Sequence, residues 1–222
     1  MEERKGFRLP GSIIQIMKIY IIRHGETQWN REELFRGRKD IPLNESGRKQ
    51  AEAIGLYFSH RPVDQIVSSP LARACQTAES IGKKTGVTIE TMEEFTDINF
   101  GIWEGLSLQK VEEGFPADFV IWKTSPEKLR IENSETLAVV RDRISAGLAK
   151  LTSRREGTIV IVTHRVICKI LVLYALGMED KHFWAMKYDP GSITLLERIN
   201  DKYALIFSND TCHLENNSYI DF

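Results

Sequence analysis

Lys18-Ile19-Tyr20-Ile21-Ile22-Arg23-His24-Gly25-Glu26-Thr27 decides the fold. A short β-branched run stops abruptly in a charged turn, which is the pattern of a buried strand delivering polar groups to a loop. The pattern recurs downstream. Asp64 to Val67 is a second strand stopped by Ser68-Ser69-Pro70, and Thr158 to Thr163 is a third that runs into His164-Arg165. Helical spacing follows each strand, over Arg48 to Ser59, Leu71 to Thr85 and Val166 to Leu176, with Gly86 and Gly177 placed to close the latter two. Ser134 to Leu151 carries Leu137, Val140, Ile144 and Leu148 at helical spacing, with Ser134 as the expected N-cap. Ser192 to Leu196 and Tyr203 to Phe207 read as a terminal hairpin. Strands alternating with helices predict an α/β protein, a three-layer α/β/α sandwich around a mostly parallel sheet. Chemistry in such sheets sits at the carboxyl ends of the strands.

Composition bounds the partners. Lysine plus arginine number 30 against 31 acidic residues in 222, a net charge of −1. That balance argues against nucleic acid and a polybasic membrane surface, while leaving a local basic pocket open. No apolar run reaches the roughly 20 residues of a membrane span. The N-terminal apolar stretch is broken by Gln15 and Lys18, so it is read as a short extension, 1–16, ahead of a single domain over 17–222. Met17 is an alternative start. Three cysteines, Cys75, Cys168 and Cys212, form no CxxC pair, which argues against a disulfide framework or zinc ribbon and for a reducing cytoplasm. The sequence leaves a homodimer open.

Three strands thus end in reactive loops: Arg23-His24-Gly25, Ser68-Ser69-Pro70 leading to Arg73, and Thr163-His164-Arg165. A strand–turn–helix junction gathers free backbone N–H groups and the positive end of a helix dipole, which favours an anion. Arg23, Arg73 and a protonated His164 would complete a clamp for a phosphoryl group. The chain carries no Walker loop, HExxH, GxSxG or GxGxxG.

Arg23-His24-Gly25-Glu26-Thr27 with Asn30 resembles the signature of the histidine phosphatase superfamily, the phosphoglycerate-mutase-like family. Further blocks follow in the same order: Arg36-Gly37 with Ile41-Pro42-Leu43, Ser68-Ser69-Pro70-Leu71-Ala72-Arg73-Ala74, Asp97 to Gly105, and Val162-Thr163-His164. The likeness extends over about Lys18 to His213. It implies a phosphomonoesterase acting on a small phosphorylated metabolite, with His24 as the nucleophile that forms a phosphohistidine. Arg23, Arg73 and His164 would hold the phosphoryl oxygens, Asn30 would add a hydrogen bond, and Asp97 would be the general acid and base. The resemblance also implies that neither a metal nor a cofactor is needed, because protein cations do the work. Gly37, Arg165 and Glu135 are the further substrate-binding residues expected.

The chain departs from the family's pattern in three places. Asp97 stands where Glu is common, with Glu94 and Glu104 nearby as rivals for its role. Arg165 replaces the Gly that usually follows the second histidine, which suggests a grip on a second acidic group of the substrate. Ser134-Glu135-Thr136 replaces Gly-Glu-Ser. Leu106 to Arg130, with Phe115, Phe119 and Trp122 among charges, reads as an amphipathic excursion with aromatics in the core; the alternative is a lid whose Lys123 or Lys128 sorts substrates. Arg36, Arg38 and Lys39 read as solvated, the alternative being that they attract anionic substrates. The short span between Asp97 and His164 favours a phosphatase over a cofactor-dependent phosphoglycerate mutase, and the intact residue set favours either over a non-catalytic phosphate-binding protein.

Overall fold

The computed structural model describes residues 16–153 and 156–214. Six strands form one sheet: β1 Ile16–Arg23, β2 Gln65–Ser68, β3 Ile89–Thr91, β4 Gly157–Thr163, β5 Ile193–Ile199 and β6 Lys202–Asp210, in the order β3-β2-β4-β1-β5-β6. The β3–β2, β2–β4 and β4–β1 pairings are parallel. The terminal hairpin then adds two antiparallel strands on the β1 side. The expected mostly parallel α/β sheet is therefore observed. Ile16, counted with the extension in the sequence reading, opens β1, and the rest of that extension lies outside the described residues.

Seven helices accompany the sheet among the described residues: α1 Gln28–Arg31, α2 Glu45–Phe58, α3 Ala72–Thr85, α4 Leu108–Gly114, α5 Pro116–Thr124, α6 Leu137–Leu151 and α7 Arg165–Ala175. Alternate strand residues divide between two cores, as a two-residue side-chain period requires. Ile19, Ile21, Ile159 and Ile161 face a core shared with α6, α7 and the aromatic excursion. Tyr20, Ile22, Val160 and Val162 face α2 and α3 through Ile54, Phe58, Ala74 and Ile81. Phe119 and Trp122 of the excursion are buried, so its aromatics do belong to the core. Trp122 packs edge-on against Phe100 and Trp184.

The start of α6 differs from the sequence reading. Thr136, not Ser134, is the N-cap, and its hydroxyl accepts from the Val139 N–H at 3.3 Å. Ser134 instead donates its hydroxyl to the Ile131 carbonyl, closing the turn before the helix. Thr136→Ala is expected to lower stability by about 1 kcal/mol, the usual effect of losing an N-cap acceptor. Urea unfolding checks this; an equal or larger loss in Ser134→Ala would reverse the assignment.

Candidate active site

Three parallel strands end on one edge of the sheet. Arg23 of β1 stands opposite Thr163 of β4, and Ser68 of β2 stands opposite Val162. The His24 N–H then donates to the Thr163 carbonyl at 2.9 Å, and the Ser69 N–H to the Val162 carbonyl at 3.0 Å. Side chains distant in sequence thus converge: the rings of His24 and His164 lie 5.1 Å apart. Close backbone packing fixes the first loop. A Cβ on Gly25 would come within 2.5 Å of the Gly47 carbonyl oxygen at the start of α2, so only glycine fits there. The Gly25 N–H donates to the Thr77 hydroxyl of α3.

The hydrogen bonds set the tautomers of both imidazoles. His24 Nδ1 lies 2.6 Å from the Gly25 carbonyl, which can only accept, so Nδ1 carries the proton and Nε2 keeps a lone pair. Arg73 Nε donates to His164 Nδ1 at 3.2 Å, so the proton of His164 is on Nε2, where it donates to the Ser69 hydroxyl at 2.7 Å. Both rings are buried. Burial holds both well below the usual histidine pKa, and the nearby Arg73 guanidinium adds to it; Arg23 and Arg36 contribute further at His24, and His24 and Arg36 at His164. The cation expected at His164 is thus a neutral imidazole in this structure, because its Nδ1 faces a guanidinium.

Arg73 is wholly buried. Besides His164 it donates to the Lys39 carbonyl, the Gly37 carbonyl and, at 3.2 Å, Asp97 Oδ2. Burial lowers its own pKa, and the Asp97 carboxylate opposes that effect. Asp97 lines the cavity together with Arg36, Gly37 and Arg165. Its rivals do not: Glu94 pairs with Lys150 at the periphery, and Glu104 accepts from the Arg38 and Phe100 N–H groups. Gly37 has φ of +50°, a left-handed conformation that brings its carbonyl to Arg73. Arg23 donates to the Tyr188 carbonyl. Asn30 is buried; its Oδ1 caps α1 by accepting from the Thr27 N–H and hydroxyl, and its Nδ2 has no hydrogen-bond partner among the described residues.

Two sequence expectations change in place. Arg36 was read as solvated, yet it is half-buried, lines the cavity and bears electrostatically on both histidines. The carboxylate of Glu135 is not among the cavity-lining side chains. It is held by Arg143 at 3.0 Å, Arg38 at 3.1 Å and the Asn99 N–H at 2.9 Å, while Arg143 also grips the Asp97 carbonyl. Glu135 therefore braces the loop that carries Asp97.

Sequence reasoning missed several supports. Thr77 lies four residues beyond Arg73, on the same side of α3; it donates its hydroxyl to the Arg73 carbonyl and accepts from Gly25. Gln50 accepts from the Glu26 N–H at 2.7 Å. His213 Nε2 lies 3.0 Å from the carbonyl of Gly191, whose own N–H reaches the carbonyls of Arg23 and His24. Only Thr77, at the i+4 position, carried a local signal. Among the described residues no group of three His, Cys, Asp or Glu side chains is arranged to hold a metal ion. No described helix is long and apolar enough to cross a membrane.

Two buried imidazoles, two buried arginines and one carboxylate are thus gathered where the parallel strands end. The chain matches the profile of the histidine phosphatase superfamily (branch 1) over residues 19–211 and belongs to that family. It is 30% identical to phosphoserine phosphatase 1 of Hydrogenobacter thermophilus over 90% of this chain and 95% of that one. It is 31% identical to a probable phosphoglycerate mutase, GpmB, of Salmonella choleraesuis, over 73% of this chain and 76% of that one. The solved structure of Bacillus stearothermophilus YhfR superposes with a TM-score of 0.85 at 28% identity, covering 90% of this chain and all of that one.

The two neutral histidines make stability depend on pH. In the unfolded chain they take up protons as pH falls below about 6.5; in the folded protein they do not, so the unfolded state gains protons and stability falls. The stabilisation is complete above that pH and is lost progressively below it, by up to about 1.4 kcal/mol per pH unit for each group. Urea unfolding between about pH 7 and pH 5 should show this decline, and His24→Asn should flatten it. Equal slopes in the two proteins would contradict the assignment.

Proposed function

We propose that the protein is a phosphoric monoester hydrolase that acts on a small phosphorylated metabolite through a phosphohistidine on His24. The observation that carries this reading is the His24 tautomer: Nδ1–H is tied to Gly25, so Nε2 keeps its lone pair under the influence of the buried Arg23 and Arg73 guanidinium groups.

In the first step His24 Nε2 attacks phosphorus while the bond to the ester oxygen breaks in line. Asp97, having taken up a proton as the ester binds, gives it to the departing oxygen. Arg23, Arg73 and His164 hold the remaining phosphoryl oxygens, and the buried Nδ2 of Asn30 supplies one more donor. The Nε2–H of His164 donates to the Ser69 hydroxyl in the free site, so a neutral His164 serves an oxyanion by exchanging that bond for one to a phosphoryl oxygen. In the second step Asp97, now a carboxylate, takes a proton from water as the water attacks phosphorus, releasing inorganic phosphate and restoring His24. Arg73 links the two functions, since one guanidinium touches both Asp97 and His164. The three free thiols support placement in the cytoplasm.

Phosphatase and mutase share the first step and differ in whether water or a hydroxyl accepts the phosphoryl group. The phosphatase reading is favoured by the short segment between Asp97 and His164 and by the breadth of the match to phosphoserine phosphatase 1.

Hydrolysis of 4-nitrophenyl phosphate in excess EDTA tests the reading. The native protein should release nitrophenol, and His24→Ala should lose at least about a thousandfold in kcat. An inactive native protein would sink the hydrolase assignment, and loss of activity on chelation would sink the metal-free mechanism. Asp97→Asn should slow alkyl phosphate hydrolysis by about 10²–10⁴-fold and affect 4-nitrophenyl phosphate far less, because nitrophenolate departs without a proton. Comparing kcat on the two substrates checks which carboxyl is the acid.

A further inference from the structure

We propose that Asn209 and His213 are positioning residues for phosphoryl transfer: together they clasp the turn 189–192, and that turn fixes where Arg23 and His24 stand. This role rests on the phosphohistidine reading and deepens it.

Asp189-Pro190-Gly191-Ser192 leads into β5, and the Ser192 N–H closes it by donating to the Asp189 carbonyl at 3.0 Å. Proline at its second position and a left-handed glycine at its third, with φ of +76°, mark a type II turn. The turn meets the nucleophile segment along its backbone. The Gly191 N–H is shared between the carbonyls of Arg23 and His24, at 3.1 Å each, and the Arg23 N–H donates to the Ser192 carbonyl at 3.1 Å. The guanidinium of Arg23 donates to the carbonyl of Tyr188, just ahead of the turn. A displacement of this turn therefore displaces both the nucleophile and a guanidinium of the phosphoryl clamp.

The end of β6 and the residues after it hold the turn from the other side. Asn209 Oδ1 accepts from the Asp189 N–H at 2.6 Å, and its Nδ2 donates to Asp189 Oδ2 at 2.8 Å. Asn209 has φ of +54°, a left-handed conformation that asparagine adopts more readily than most residues, and its own N–H donates to the Thr194 hydroxyl at 3.1 Å. Four residues on, His213 Nε2 lies 3.0 Å from the Gly191 carbonyl. A carbonyl only accepts, so Nε2 carries the proton, while the buried Nδ1 has no partner among the described residues. The imidazole leans on the ring of Tyr57 in α2, with centroids 5.6 Å apart. Gly191 is thus gripped on two sides, its carbonyl by His213 and its N–H by the carbonyls of Arg23 and His24. Neither Asn209 nor His213 lines the cavity that contains Asp97, so both act through the turn. In-line attack is sensitive to such placement, since a shift of about 1 Å can cost about a hundredfold in rate.

Variants of similar length separate the hydrogen bond from packing. His213→Gln keeps an N–H donor near the position of Nε2, and His213→Met has none. With 4-nitrophenyl phosphate, His213→Met should lose about tenfold or more in kcat with little change in KM, and His213→Gln should recover most of that loss. Asn209→Asp sets a second carboxylate against that of Asp189 and should lower kcat in the same way. His213 also lines an open groove of about 500 Å³, so imidazole can reach the space left in His213→Ala and should raise its kcat saturably. That rescue carries the same test should His213→Met fail to fold. Native kcat in His213→Met or Asn209→Asp, a His213→Gln no faster than His213→Met, or no response of His213→Ala to imidazole would overturn the proposal and leave the hydrolase reading intact. A native protein that released no phosphate from 4-nitrophenyl phosphate would instead sink that reading, and the proposal with it.

Discussion

Everything at this site depends on the parallel register of β1 on β4. Because Arg23 lies opposite Thr163, both strands reach the sheet edge in the same row, and the residues that follow them are forced side by side. The next residues are His24 and His164, and the bond from the His24 N–H to the Thr163 carbonyl extends the ladder one step beyond the strands to lock them. A slip of one residue would turn each strand's core-facing set to the opposite layer, so burial on both faces defends the register. Catalytic geometry is thereby secured by the two cores that flank the sheet. The loops need only turn.

A second constraint follows from placing guanidinium groups where water does not reach. An isolated buried cation is prohibitively costly, so each must be met by acceptors. Arg73 meets the requirement through carbonyls of Gly37 and Lys39, the Asp97 carboxylate and the lone pair of His164. That arrangement explains the neutral imidazoles. A protonated His164 would set two positive charges 3.2 Å apart with only Asp97 to balance them. The arrangement also explains why the loop around Gly37 is built as it is, since its carbonyls are ligands for an arginine before they are anything else. Asp97 reaches the guanidinium at 3.2 Å without the extra methylene of a glutamate, because Arg143 and Glu135 hold its loop close.

Much of this was legible in the sequence, and the boundary between what was and was not is physical. Strand β1, its abrupt end at Arg23 and the helices α3 and α7 follow from local periodicity and caps, which a linear reading can see. The misplaced start of α6 shows the limit of such signals: Ser134 and Thr136 are equally good caps in isolation, and only the Ile131 carbonyl, which takes the Ser134 hydroxyl, decides between them. Strand β3 escaped notice because it has three residues, none buried, and so no alternation to detect. Arg36 looked solvated among Arg38, Lys39 and Asp40; its position over the cavity is set by long-range packing of its loop. The charge of His164 was legible least of all. It depends on which atom faces Arg73, a property of distance and dielectric that residue identity does not carry.

Net charge shows the same gap between inventory and arrangement. A sum of −1 describes how the chain looks from many Debye lengths away, beyond about 10 Å at ordinary salt. A substrate in the cleft experiences something different: Arg23, Arg73, Arg36 and Arg165 in or around one low-dielectric site, with Asp97, Glu33, Asp40 and Glu104 among the acids near it. The compensating acids are spread over the surface, where water screens them, whereas the buried cations are hardly screened. Near-neutrality overall and a strongly cationic pocket are therefore compatible. Net charge and local potential are thus set separately, the first by the whole inventory of charged residues and the second by which of them the fold gathers at one point.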